Sequence, residues 1–235
     1  MHIFYTTNIQ GNTGILDETE SHHCIKVLRL KPGDRINMVD GKGGFFEGVI
    51  AIPDSRACSV EIVKSDFEHG MRNYHLHIAI APTKNIDRFE WFLEKATEIG
   101  IDEISPIICQ RSERKVLRED RLEKVISSAM KQSLKAYHPV LHPAVSFTKF
   151  IEKQKEGNKL IAHCIEEEKL DLLRFKPQGS RFTLLIGPEG DFSPEEVKQA
   201  IIKGFIAVSL GKSRLRTETA GIASCQIITD LMELL

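Results

Sequence analysis

The 235-residue sequence lacks several signatures, and each absence closes a class of function. No apolar run approaches the ~18 residues that a membrane span requires. The opening "MHIFYTTNIQ" has no basic region followed by an apolar stretch, so neither insertion nor export is expected. Charge of one sign is not in excess: 32 basic against 33 acidic side chains leave a formal net charge of −1. Five cysteines (Cys24, Cys58, Cys109, Cys164 and Cys225) are isolated, odd in number and never in a C-x-x-C pair. That argues against a disulfide framework or a zinc site and for a reducing, cytoplasmic setting. No G-x-G-x-x-G is present, and "GKS" at Gly211, Lys212 and Ser213 fails as a phosphate-binding P-loop because the required earlier glycine is Ile206. His22 and His23 are adjacent and so diverge on a helix, while Pro139 spoils His138 and His142 as a helical ligand pair, so no metal is expected. The single tryptophan, Trp91, recurs with Leu93 and Ala96 at helical spacing, which predicts a core or interface residue and not a base-stacking platform.

What is present is the composition of a globular protein, 41% hydrophobic and 28% charged, long enough for one large domain or two ordinary ones. Its rhythm changes near residue 70. Before that point "HIFYTT", "DRINMVD", "FFEGVIAI" and "CSVEIVKS" are short strand-like runs, interrupted by one helical segment, "TESHHCIKVLRL". They predict a small β-barrel over residues 1–70. Strands and helices alternate afterwards, from "YHLHIAIAP" and "DRFEWFLEKATEIG" to a final apolar helix from about Glu218 to Leu235. Residues 71–235 therefore predict an α/β domain with a mostly parallel sheet.

Within that domain "FTLLI" runs into "GPEGDF", two glycines and a proline around Glu189, before a helix restarts. Ser193 is placed to cap that helix, Pro194 to begin it, Glu196 to complete a capping box and Gly204 to end it. Ligands of open α/β sheets bind at loops that follow the carboxyl ends of strands, and "LGKSRLRTET" follows the next strand in the same way. Two glycine-bearing loops at adjacent strand ends predict one pocket. Basic side chains cluster at Lys26, Arg29, Lys31 and Arg35, again at Arg111, Arg114, Lys115 and Arg118, and a third time at Lys212, Arg214 and Arg216. Such clusters suit phosphate, although most charge runs are solvated faces.

"LLIGPEGDFSPEE" followed by "LGKSRLRTETA" resembles the signature pair of the SPOUT-class RNA methyltransferases, specifically the RsmE family of 16S ribosomal RNA uridine N3-methyltransferases. The likeness covers nearly the whole chain. "SHHCIKVLRLKPGD" resembles the family's N-terminal PUA-like barrel, and "KNIDRFEWFLEKATEIGIDEISPI" with "RSER" the start of its catalytic domain. Asp191 departs from the pattern where many members have glycine, as does Lys135 after "KQS" where arginine is more usual.

The resemblance implies a C-terminal deep trefoil knot, a homodimer, and S-adenosylmethionine held in the knot largely by backbone groups. It puts His163, Ile186, Gly187, Pro188, Glu189, Gly190, Leu210, Gly211, Leu215, Arg216, Thr217 and Ala220 around the cofactor, with Cys164 beside His163. It also implies that Lys26, Arg29, Lys31, Arg111 and Arg114 meet RNA. Uridine N3 carries a proton, so transfer needs a proton acceptor and a cation for the charge left on the base. Arg216 is the candidate cation, Glu218 the candidate acceptor, and Glu189 the less favoured one. Two other classes stay open: an RNA-binding assembly protein without transfer activity, and a nucleotide hydrolase, which the absent P-loop disfavours.

Overall fold

The computed structural model describes residues 2–154 and 156–234, which separate into two compact units. The first comprises residues 1–71 together with 127–138, and the second residues 72–126 together with 139–235.

In the first unit, strands β1 (Ile3–Tyr5), β2 (Asn8–Gln10), β3 (Thr13–Ile15), β4 (Arg35–Val39), β5 (Phe45–Ile52) and β6 (Ser59–Asp66) form one sheet in the order β1-β4-β5-β6-β3-β2. Alternation along β5 and β6 sends Phe46, Ile50, Val60 and Ile62 into a core with Phe4, Leu16, Ile36 and Met38. The expected barrel is an open, curled half-barrel: among the described residues β1 and β2 are edges and do not pair. Thr6 leans across between the two sides, its N–H donating to Val39 O and its hydroxyl to Ile15 O. The β2–β3 hairpin, "NIQGNTGI", was not anticipated, because only three residues pair on each side and Gly11 turns with φ +57°.

The predicted helix over "TESHHCIKVLRL" is two pieces. A short α1 (Glu18–His22), capped by Asp17 Oδ1 accepting from Glu20 N–H, runs into a π-helical turn over His23–Val27. Arg29 then stands at φ +57°, a left-handed conformation that closes the turn. Lys26, Arg29 and Lys31 are all exposed around it.

The second unit is built on an all-parallel sheet. Its strands are β7 (His75–Ile80), β8 (Glu103–Ile108), β9 (Val140–Leu141), β10 (Val145–Ser146), β11 (Asn158–Ala162), β12 (Leu170–Asp171), β13 (Arg181–Ile186) and β14 (Ile206–Ser209). The order is β10-β8-β7-β13-β11-β14-β12, with β9 pairing β8. Helices α2 (Ile86–Ile99) and α6 (Thr217–Glu233) cover one face, joined by Leu122 and Ile126 of α3 (Glu119–Gln132). Helices α4 (Phe147–Lys153) and α5 (Pro194–Ile202) cover the other. The strands bury both faces, Leu184 and Ile186 toward α2 and α6, Leu185 toward α5, which is why "FTLLI" reads as an uninterrupted apolar run.

α6 reaches the sheet closely because Gly221 has no side chain; a Cβ there would stand 2.6 Å from the Phe92 ring. Ile228 is fully buried and Ile222, Ile227 and Leu231 pack partly buried on the same core, so the chain itself covers most of the apolar surface of this helix. Leu235 lies outside the described residues. Trp91 is not in the core: it is 44% exposed while Leu93 and Ala96 are fully buried. Helix α3 ends at Gln132, and Leu134 turns left-handed at φ +57° just beyond it. No helix among the described residues is long and apolar enough to cross a membrane.

Candidate functional site

The loop after β13 is fixed at both ends. Ser193 Oγ accepts from Glu196 N–H at 3.2 Å while Glu196 Oε2 accepts from Ser193 N–H at 2.9 Å, the reciprocal capping box. Glu196 Oε1 also accepts from Gln110 N–H at 2.8 Å, tying this helix start to the loop after β8. Asp191 has φ +62°, so the residue that departs from glycine occupies a backbone position that glycine adopts without strain. Its carboxylate accepts from Cys164 N–H at 2.8 Å, which joins the loop after β11 to the loop after β13 and supplies a hydrogen bond that glycine could not.

The loop after β14 turns through Gly211 at φ +116° and leads to Arg216, the residue preceding α6. Thr217, 5% exposed, donates its hydroxyl to Gly187 O at 3.1 Å and so latches the two glycine loops together. Between them lies a cleft of about 800 Å³. Every residue assigned above to the cofactor lines it, from His163 and Ile186 through Gly187, Pro188, Glu189 and Gly190 to Leu210, Gly211, Leu215, Arg216, Thr217 and Ala220.

His163 is the cleft's most informative side chain. It is 7% exposed, and neither ring nitrogen has a hydrogen-bond partner. Burial first, and the nearby Lys169 ammonium second, push its pKa below the ordinary imidazole value, so it stands neutral. A neutral imidazole with two unmet nitrogens facing a cleft suits a polar ligand, because leaving buried polar atoms unpaired is costly. Lys169, missed by sequence reading, holds this wall by donating to His163 O and Ile165 O, both at 2.9 Å.

The three candidate catalytic residues are placed differently. Glu189 is exposed and its carboxylate already accepts from Lys84 N–H at 2.8 Å. Glu218 is 5% exposed, with Oε1 3.8 Å from Arg88 Nε and Oε2 without a partner. Arg216 is exposed and pairs with neither acid; its guanidinium has no partner among the described residues. Arg216 lines the cleft and also a second, shallower hollow with Arg88, Trp91, Glu218 and Thr219; Glu218 borders only this second hollow, so the first turn of α6 sets it apart from the cofactor cleft. Neither Arg88 nor Trp91 was singled out for the site, because nothing in their local pattern tells that α2 lies beside the start of α6.

Two of the arginines expected at RNA serve the loops. Arg111 donates to Gly190 O at 2.8 Å and Phe192 O at 3.3 Å, and Arg114 donates to Lys84 O at 2.8 Å and Thr83 O at 3.1 Å. Both guanidiniums thus neutralise carbonyls that would otherwise be left over where strands end.

Residues 71–229 match the family model of an RNA methyltransferase domain and residues 16–63 that of an RNA methyltransferase PUA domain. A crystal structure titled "probable rRNA-methyltransferase" from Porphyromonas gingivalis is 40% identical, with a TM-score of 0.90 over 100% of this chain and 99% of that one. A ribosomal RNA small subunit methyltransferase E from Neisseria gonorrhoeae, solved bound to S-adenosyl methionine, is 28% identical with a TM-score of 0.87, covering 98% of both chains. Among curated relatives, the ribosomal RNA small subunit methyltransferase E of Mesomycoplasma hyopneumoniae is 30% identical over 94% of this chain and 96% of its own length.

Proposed function

Because the chain belongs to the RNA methyltransferase family, we propose that it methylates N3 of a uridine in 16S ribosomal RNA of the small subunit, with S-adenosylmethionine as donor. The observation that carries the reading is the cleft between the latched glycine loops, with the unpartnered nitrogens of His163 inside it. The donor fits there: Gly211 opens onto space with no protein atom within 4 Å, and the walls combine backbone groups with Leu210, Leu215 and Ala220.

S-adenosylmethionine bound in this cleft would supply an electrophilic methyl. Arg216, which lines both this cleft and the second hollow, unpaired and always charged, would steady the negative charge left on the uracil carbonyls, and Glu218, whose Oε2 is buried and unpartnered on the second-hollow side, would take the N3 proton from a uracil entering from that side. Glu189 is the weaker candidate because Lys84 already occupies its carboxylate. The action would take place in the cytoplasm. Labelled cofactor incubated with small-subunit RNA should yield N3-methyluridine; RNA binding without incorporation would instead make the chain an assembly factor.

The knot belongs to the same proposal. β14 lies beyond β11 from β13, yet α6 packs on β7 and β13, so the chain leaving β14 has to travel back past the loop that leaves β13. A threaded loop there would account for the Thr217–Gly187 latch. In this reading residues 1–70 are the RNA-binding PUA-like domain and residues 71–235 the methyltransferase domain.

RNA docking by the first of these rests on Lys26, Arg29 and Lys31, exposed and without partners among the described residues. Arg111 and Arg114 could add only what their loop bonds leave free. Since Arg29 is left-handed, Arg29→Asn removes the charge while keeping a residue that tolerates that conformation. It should weaken RNA binding several-fold and reduce the salt slope by about one. An unchanged slope, measured by binding across a salt series, would remove Arg29 from the RNA.

A homodimer is part of the proposal through the family resemblance, and exposed Trp91 beside Leu215 and Thr219 offers apolar surface for it. Light scattering at micromolar concentration should give twice the 26.6 kDa chain mass; a monomer mass would refute the dimer.

A further inference from the structure

We propose that His77, Glu103 and His142 form a Zn2+ site at the amino-terminal edge of the parallel sheet, independent of methyl transfer. Their ligand atoms lie within 4.8 Å of one another. His77 and Glu103 are register partners on β7 and β8, and His142 follows β9, held by its N–H on Ile104 O at 2.8 Å. The cluster therefore comes from three chain segments that only the sheet brings together. It lies at the opposite end of the strands from the methyl-transfer cleft: His77 pairs with Thr183 of β13, while the glycine loop starts after Ile186.

Geometry is close to what zinc needs. Glu103 Oε2 lies 2.6 Å from His142 Nε2 and 3.8 Å from His77 Nδ1. Donors on a tetrahedral zinc with bonds of about 2.0–2.2 Å stand roughly 3.3 Å apart, between those two separations. Those two separations would have to change by about 0.7 and 0.5 Å, and the two imidazoles to close from within 4.8 Å, to accommodate the ion. Supporting bonds are already made: Ser105 Oγ is 2.9 Å from His77 Nε2, which aims Nδ1 at the cluster, and His75 Nε2 holds the other carboxylate oxygen of Glu103 at 3.0 Å. The Phe150 ring meets His77 edge-on and fixes its tilt.

The donor set favours a cation: two imidazoles face a carboxylate whose other oxygen is held by His75. Binding requires His142 to carry its remaining proton on Nδ1 instead of Nε2. The Arg181 guanidinium opposes a positive ion here, so a site of moderate affinity is expected. The His142 side chain, 39% exposed, gives the ion an entry and leaves the fourth position to water. Two imidazoles and one carboxylate with an open position is a common zinc donor set.

Chelator-treated full-length protein titrated with Zn2+ by calorimetry should bind one equivalent with micromolar affinity or better. Co2+ in its place should give the absorption of a four-coordinate ion. His142→Ala, at an exposed position, should weaken binding at least 30-fold, as should Glu103→Gln. His69→Ala, which removes another imidazole paired with a carboxylate, should change nothing. Absence of saturable binding, or wild-type affinity in folded His142→Ala, would overturn the site; His142→Ala guards against loss from misfolding, since it leaves the buried His77 and the partly buried Glu103 intact.

Discussion

Arg216→Met is expected to give a folded protein that binds S-adenosylmethionine and transfers methyl at least ~100-fold more slowly, the scale of losing one preorganised transition-state contact. A purely structural Arg216 would form an ion pair with Glu218 or Glu189 at the loop mouth. Neither pair is present: Glu189 is held by Lys84 N–H, and Glu218 faces Arg88. The guanidinium is anchored only through its own backbone, whose carbonyl accepts from Ala220 N–H in the first turn of α6. Removing its charge therefore breaks no bond inside the chain, which makes the substitution diagnostic. Methionine keeps much of the aliphatic stem, so the hollow that Arg216 shares with Leu215 and Trp91 should keep its shape. Single-turnover rates with saturating cofactor and RNA separate chemistry from binding. Near-normal transfer by the folded variant would defeat the assignment, and joint loss of cofactor binding and activity would return Arg216 to a structural role.

Gly211→Val is expected to weaken S-adenosylmethionine binding by about 10- to 100-fold while the thermal midpoint moves little. The cause is the backbone and not a collision in the free protein, since a Cβ at Gly211 meets nothing within 4 Å. Its φ of +116° is a conformation that side-chain-bearing residues rarely hold, at a cost of about 1–3 kcal/mol. The loop can escape that cost by rotating, which displaces Leu210 and Lys212 from the cleft they line. Valine also places two methyls in space reserved for the ligand. Gly190→Ala should be milder, because Gly190 has no positive φ and a Cβ there would press only on the flexible Arg111 side chain at 3.3 Å. Calorimetry showing undiminished binding in Gly211→Val would take this loop out of the cofactor site.

The sequence by itself determined the α/β character of residues beyond about 70, the capped start of α5, and the pairing of "GPEGDF" with "LGKSRLRTET", because periodicity, caps and glycine-rich breaks are local properties. The residues placed around the cofactor came from the family resemblance and not from any local pattern, and Lys169, which also lines the cleft, was not among them. Shorter elements escaped it: β2, β3, β9, β10 and β12 have two or three residues each, too few for a period, and the π-helical turn at His23–Val27 looks like ordinary helix. Of the core or interface position expected for Trp91 the structure excludes the core, since helical spacing tells which residues share a face but not which face is covered.

Tertiary structure alone decided which side chains bond to backbone groups far away in the chain. Glu189 with Lys84, Asp191 with Cys164, Thr217 with Gly187 and Arg111 with Gly190 are separated by 105, 27, 30 and 79 positions. The same holds for His77, Glu103 and His142, which are scattered in the sequence and converge only because β7, β8 and β9 lie side by side. Hydrogen bonds and ligand sets depend on distances of about 3 Å in space, and those distances follow from strand order and register, which no local pattern encodes.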